Sequence, residues 1–325
     1  MKKQKRDFFG VFFETGLYRV GILVIICLVM SMISNNFFRI GNFLNIFRQA
    51  SVLLVLAACA TGCILTHGID NSIGGVMSLC GCACGYMLNH DFPIWAAILI
   101  TLLIGMAFGC INGFLIGVVK IPPFVSTYGV SYIANGLALI LMGSDIFSGF
   151  PKAFRSLASG NVLGFPLITI IALAVTVIMY LVMQRSNFGK QVYSVGANYT
   201  TAKYSGINTL LTLFIVYIIS GCGAAIGGVL QIARQSAAQA GMGDTFQMTA
   251  IASIVIGGTS MAGGEGSVFG AIIGALILTL IVNAMNLLGV PALAQSIVTG
   301  AIIVLAVLMD VQMKRIQAAR AAAAA

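Results

Sequence analysis

Along this chain, apolar residues run in long blocks and the polar residues are confined between them. Residues 93–119, 122–142, 166–184, 209–231, 245–264 and 266–309 contain no Asp, Glu, Lys or Arg. About 20 apolar residues in a helix cross the hydrocarbon core of a bilayer, and several of these blocks exceed that length. The pattern predicts helices over about 18–34, 50–66, 72–88, 93–117, 122–142, 165–184, 209–232, 246–261, 265–288 and 291–309. The expected fold class is an all-α membrane protein, a polytopic helical bundle of about ten transmembrane helices with broken or hairpin elements. A single transmembrane domain over 18–310 is expected, between an N-terminal segment at 1–17 and a tail at 311–325, both cytoplasmic.

Charge agrees with this reading and orients it. Only 8% of the 325 residues are charged, against about 25% in a soluble domain, too few to cover a water-facing surface. Ten spans put both termini on one side. That side holds Lys2, Lys3, Lys5, Arg6, Arg19, Lys120, Arg185, Lys190, Lys203, Lys314, Arg315 and Arg320, and the other holds Arg39, Arg48, Lys152, Arg155 and Arg234. The richer side is cytoplasmic by the bias of Lys and Arg toward that face. The bases sit beside helix ends, so the net charge of +9 reflects membrane orientation rather than nucleic-acid binding. The segment FFRIGNFLNIFRQ is expected outside, or along the lipid interface through Phe38, Phe43, Leu44 and Phe47. The first apolar run lacks an A-x-A-like cleavage site and reads as a retained helix. The closing Ala321–Ala325 run reads as an added tail or placeholder.

One extended polar segment interrupts the second half. Residues 185–208, RSNFGKQVYSVGANYTTAKYSGIN, carry Arg185, Lys190 and Lys203 and form a cytoplasmic loop in this topology. Small residues at Gly105, Gly109, Gly113 and Gly117, at Gly223 and Gly227, and at Gly266, Gly270 and Gly274 predict close helix packing, within the subunit or against another copy. Two breaks, His67–Gly74 and Val255–Gly270, share an acid followed two residues later by serine and a branched aliphatic: Asp70, Ser72, Ile73 and Glu265, Ser267, Val268. They suggest related reentrant or hairpin elements, a recurring device in transporters.

Several kinds of chemistry are excluded. After Gly258 and Gly263 come Gly264 and Glu265, so the lysine and hydroxyl of a Walker loop are missing and no nucleotide cofactor is expected on this chain. Eight cysteines lie in apolar runs. In a helix, Cys82 projects about 200° away from Cys80 and Cys84, so they form no metal cluster. Two histidines and eight acids assemble no Ser/His/Asp arrangement, HExxH or paired catalytic carboxylates, and an enzyme is not expected. Candidate residues for a solute pathway are Asp70, Asn71, Ser72, Asn112, Phe124, Asn135, Asn283 and Asn286. The structural alternatives are capping of the following helix by Asp70 and interhelical hydrogen bonds by the asparagines.

In this order, FLNIFRQASV, LTHGIDNSIGG, IPPFVSTYGV, SVGANYTTAKYSGIN, IASIVIGGTSMAGGEGSVFGAIIGALI and NLLGV resemble the permeases of ribose-type sugar ABC importers, over residues 37–310. The resemblance implies a permease for a monosaccharide or related neutral polyol in the bacterial plasma membrane. It implies a second permease copy or paralogue embedded with it in membrane lipid, and a sugar-binding protein outside. It further implies a cytoplasmic ATP-binding protein, with two fused nucleotide-binding domains, that uses ATP and Mg. ATPase coupling would fall on Ser194, Val195, Gly196, Ala197, Asn198, Ala202, Ser205 and Gly206. Two departures bear on the gate: family members commonly carry glycine or glutamine at the His67 position and leucine at the Asn71 position. The alternatives are an ion-coupled secondary carrier using Asp70, His67 and Asp244, or a structural membrane subunit that transports nothing.

Overall fold

The computed structural model describes residues 17–305 except 144, 163 and 292, together with 308 and 312. The segment 1–16 and the tail carrying Lys314, Arg315, Arg320 and Ala321–Ala325 lie outside the described residues. Helices occupy each apolar block: α1 (Leu17–Ile33), α2 (Ile40–Leu65), α3 (Ile73–Asn89), α4 (Ile94–Gly117) and α5 (Pro123–Met142) come first. A short α6 (Lys152–Ser159) and α7 (Leu167–Arg185) follow, then two helices of the polar segment, α8 (Asn187–Ala197) and α9 (Tyr199–Tyr204). The chain continues through α10 (Thr209–Gln235), α11 (Asp244–Ile256), α12 (Val268–Leu287) and α13 (Leu293–Leu305). Six of these, α2, α4, α5, α7, α10 and α12, are long and apolar enough to cross a membrane. The protein is a helical, multi-pass membrane protein, as the pattern predicts.

Two small antiparallel ladders add the only strands among the described residues. Phe147–Ser148 (β1) pairs with Ala237–Ala238 (β4), and Asn161–Val162 (β2) with Phe165–Pro166 (β3). The first ladder fastens the end of α10 to the chain that leaves α5.

Helix α10 is the axis of the bundle, packing on α4, α2 and α3. Small residues make this possible. Gly105, Gly109 and Gly113 of α4 lie against Gly221, Tyr217 and Phe214 of α10, while Gly223 and Gly227 on another face of α10 meet Cys59 and Leu56 of α2. The α4 ladder is therefore used inside the subunit. With no hydrophobic gain between helices in lipid, close van der Waals approach of this kind drives association. Helix α3 is buried at every position except Tyr86 and Asn89.

The start of α2 differs from the sequence expectation. Residues 40–49 are not a loop or a separate interfacial segment but the first turns of one 26-residue helix. Ile40, Phe43, Leu44 and Phe47 keep helical spacing into the next block, and no proline intervenes to stop propagation. Phe37, just before it, is fully buried and packs edge-on to Phe38.

Candidate functional site

The polar segment folds because each of its helices has its own side-chain cap. Ser186 Oγ accepts from Gly189 N at 3.1 Å, Asn198 Oδ1 from Thr201 N at 2.9 Å, and Asn208 Oδ1 from Leu211 N at 3.0 Å, opening α8, α9 and α10 in turn. These bonds satisfy amides that the first turn leaves without partners. Helix α9 closes on Gly206 at φ 85°. Gly206 N donates to Lys203 O at 3.2 Å and Ile207 N to Ala202 O at 3.1 Å, the bond pair of a glycine-terminated helix.

Only Ala202 of α9 is buried, and Tyr204 is 86% exposed. Helix α8, by contrast, is anchored. Tyr193 donates to Gly266 O at 2.8 Å and receives Gln184 Nε2 at 2.6 Å, and burial raises its phenol above the ordinary range. Gly196 lies against Leu65 O and Gly264 N. Lys120, between α4 and α5, donates to Tyr199 OH at 3.1 Å, and Thr209 with Lys120 draws that phenol below its ordinary range. The two sequence breaks also meet here, with Gly263 against His67, and Gly264 N donates to Leu65 O at the end of α2 at 2.9 Å. One end of the bundle thus carries an exposed helix whose base is bonded to two interhelical loops, at Gly266 and at Lys120, and lies against the end of α2 at Leu65.

Immediately inward lies a buried polar group. Asp70 is 3% exposed. Its Oδ1 accepts from Ser72 N at 2.9 Å and Ser72 Oγ at 2.6 Å, and its Oδ2 from Ser220 Oγ at 2.6 Å. Asn112 Nδ2 donates to Ser72 Oγ at 2.7 Å, and Asn71 N to Thr127 Oγ1 at 3.0 Å. The α2–α3 turn is thereby bonded to α4, α5 and α10. The capping expectation for Asp70 is not met: it accepts from no amide of α3, its Oδ1 serving Ser72 just before that helix and its Oδ2 being spent across the bundle on Ser220. His67 is exposed, holds φ 63°, and donates nothing to Asp70. The side-chain amide of Asn71, Asn112 Oδ1 and Tyr217 OH are buried without a protein partner.

The remaining candidates lie elsewhere. Phe124 heads an exposed aromatic row on α5: it stacks on Tyr128 at 5.9 Å, and Tyr128 meets Tyr132 edge-on at 5.0 Å. About two turns beyond Tyr128, Asn135 Nδ2 donates to Asp244 Oδ1 at 3.0 Å. Asn283 exchanges two amide bonds with Asn42 of α2, at 2.9 and 3.2 Å. Asn286 accepts from Gln295 Nε2 at 2.8 Å. Neither Asn283 nor Asn286 bonds to the Asp70 group. Sequence reading missed Ser220, Thr127 and the tyrosines of α5, although Phe124, Tyr128 and Tyr132 repeat at four-residue spacing and so had to share one helix face.

A family model described as branched-chain amino acid transport system / permease component matches residues 42–307. A ribose import permease protein of Haemophilus influenzae is 35% identical over 292 residues, 89% of this chain and 90% of that one. A D-allose transport system permease protein of Escherichia coli is 36% identical over 308 residues, 94% and 91% of the two chains. A galactose/methyl galactoside import permease protein of Salmonella typhimurium is 33% identical, covering 94% and 96%. No solved structure gives a significant match. The similarity to ribose-type permeases read from the ordered motifs is borne out, and the chain belongs to the family of transport-system permease components.

Proposed function

We propose that this chain is the membrane permease subunit of an ATP-driven importer that brings a monosaccharide into the cytoplasm. The observation that carries the reading is the near full-length similarity to ribose, allose and galactose import permeases. The family description names branched-chain amino acids, but the exposed row of Phe124, Tyr128 and Tyr132 favours a sugar. Aromatic faces with phenolic edges suit a ring that has apolar faces and hydroxyl edges.

In this reading the exposed α9 and its flanks, Ser194 to Gly206, receive a cytoplasmic ATPase with two fused nucleotide-binding domains, which uses the ATP and Mg. Ten spans, cytoplasmic termini and pairing with a second permease copy or paralogue belong to the same proposal. A sugar-binding protein delivers the solute from the other side. Movement at α9 reaches the α2–α3 turn through Gly196 and Leu65, and the Asp70 group couples that turn to α4, α5 and α10. The ATPase must favour one state over the other for such a shift to occur.

The test is uptake of labelled ribose, allose and galactose into proteoliposomes that contain the permease, its ATPase and its binding protein. ATP-dependent accumulation of one of them supports the proposal. Accumulation of leucine or valine instead would assign the solute class of the family description.

A further inference from the structure

At the end of the bundle opposite α9 lies a cavity of 520 Å³ whose lining includes Arg48, Lys152, Arg155 and Arg234, with no carboxylate. Helices α2 and α10 both reach from the α9 end to this one, and the 27 residues of α10 extend about 40 Å. Three helices contribute: Arg48 stands on α2, Lys152 and Arg155 on α6, and Arg234 in the last turn of α10.

We propose that this cavity binds a phosphate-bearing anion. Four like charges facing one space repel one another, and the repulsion grows where water is displaced. Lys152 and Arg155 also occupy the first half of α6, where the helix dipole disfavours cations. The cations are only partly engaged within the protein. Arg48 Nη2 donates to Asn161 Oδ1 at 3.2 Å, but its Nε is buried without a partner. Arg234 Nε and Nη2 both converge on Gln231 Oε1 at 3.2 Å. None of these contacts neutralises charge.

Phosphate answers this arrangement better than a carboxylate. Its oxygens are spread tetrahedrally and can be shared by bases from three helices, whereas a carboxylate offers two oxygens in one plane. Guanidinium forks pair with phosphate in a bidentate manner. The orientation proposed above gives a second argument. Five bases lie on the face that membrane insertion normally depletes of Lys and Arg, and four of them line this cavity. On the cytoplasmic side of membranes, basic pockets between helices hold phosphate-bearing lipid headgroups; the same chemistry is offered here on the opposite side, and free phosphate shares it. The inference does not depend on which solute crosses, because binding is read without transport.

The experiment compares the full-length permease with a double variant carrying Lys152→Gln and Arg155→Gln; both side chains are exposed, so their removal leaves the fold intact. Arg39→Gln, an exposed base outside the cavity, is the control. Native mass spectrometry reads phosphatidylglycerol retained after delipidation, and thermal unfolding in phosphatidylcholine nanodiscs reads protection by inorganic phosphate. A lipid occupant predicts retained phosphatidylglycerol that falls about tenfold in the double variant and is unchanged in the control. A free-anion occupant predicts protection by phosphate that the double variant loses. The proposal is overturned if neither probe separates wild type from the double variant. It is equally overturned if the substitutions change only the response to an acidic protein partner.

Discussion

The backbone of Gly196 lies against the carbonyl of Leu65, the oxygen that also accepts a hydrogen bond from Gly264 N at 2.9 Å. One contact therefore ties α8 to the end of α2 and to the loop that follows α11. A methyl group at Gly196 would overlap Leu65 O and lie 2.6 Å from Gly264 N, both of them backbone atoms. Gly196→Ala is expected to destabilise the protein by about 1–3 kcal/mol, the range for overpacking. Thermal unfolding of the purified variant measures this, and an unchanged melting temperature would show that the three segments are not locked together there.

Asn71 is fully buried, and neither Nδ2 nor Oδ1 of its side chain has a protein partner. Leucine, the residue common at this position in the resembling family, fills similar volume without polar atoms. Asn71→Leu should raise stability by about 1–3 kcal/mol, the cost of leaving a buried polar group unpaired. A lower melting temperature would mean that the amide is bonded in the membrane after all.

Asn42 and Asn283 exchange hydrogen bonds between α2 and α12. Asn283→Leu alone strands Asn42 Oδ1, while Asn42 Nδ2 keeps its bond to Phe37 O at 2.9 Å; it should cost about 1–2 kcal/mol, whereas Asn42→Leu with Asn283→Leu should recover most of the loss. A double-mutant cycle on unfolding free energies measures the coupling. Additive effects would remove the pair from the account of how these helices are held.

The layout of helices was legible because charge-free blocks have few structural alternatives in lipid. The polar segment was read only as a loop, whereas the structure folds it into α8 and α9; Ser186, Asn198 and Asn208 carried the signal for helix starts and Gly206 for a stop, and they were passed over in favour of the charges around them. The extension of α2 was misread because Arg39 and Arg48 were weighed as topology signals, while the unbroken apolar spacing around them was not. Ser220 escaped notice for a different reason. A serine within an apolar helix looks like packing material, and only the fold places it 2.6 Å from an acid 150 positions away in the chain. Asn283 shows the converse: its polarity drew attention as pathway lining, and the structure spends both of its amide atoms on Asn42.

Phe124 and Tyr132 are 52% and 65% exposed in the aromatic row of α5. Alanine at either should leave stability within about 0.5 kcal/mol, as for exposed positions in general. If the row lines the sugar path, uptake by the assembled transporter should nevertheless fall about tenfold as the stacking face is lost. Unchanged uptake in both variants would move the path to another helix.

The central claim is that ATP-driven force enters through α9. Ser205 is exposed at the end of α9 and bonds only to Thr201 O of the same helix, at 2.9 Å, so Ser205→Arg alters the surface without touching the bundle. The decisive measurement is sugar accumulated per ATP hydrolysed, in proteoliposomes holding the permease, its ATPase and its binding protein. The account predicts ATP-dependent uptake by wild type and a ratio reduced about tenfold or more in Ser205→Arg, by disruption of the docking surface. An unchanged ratio in the variant, or uptake driven by an ion gradient without ATP, would contradict it.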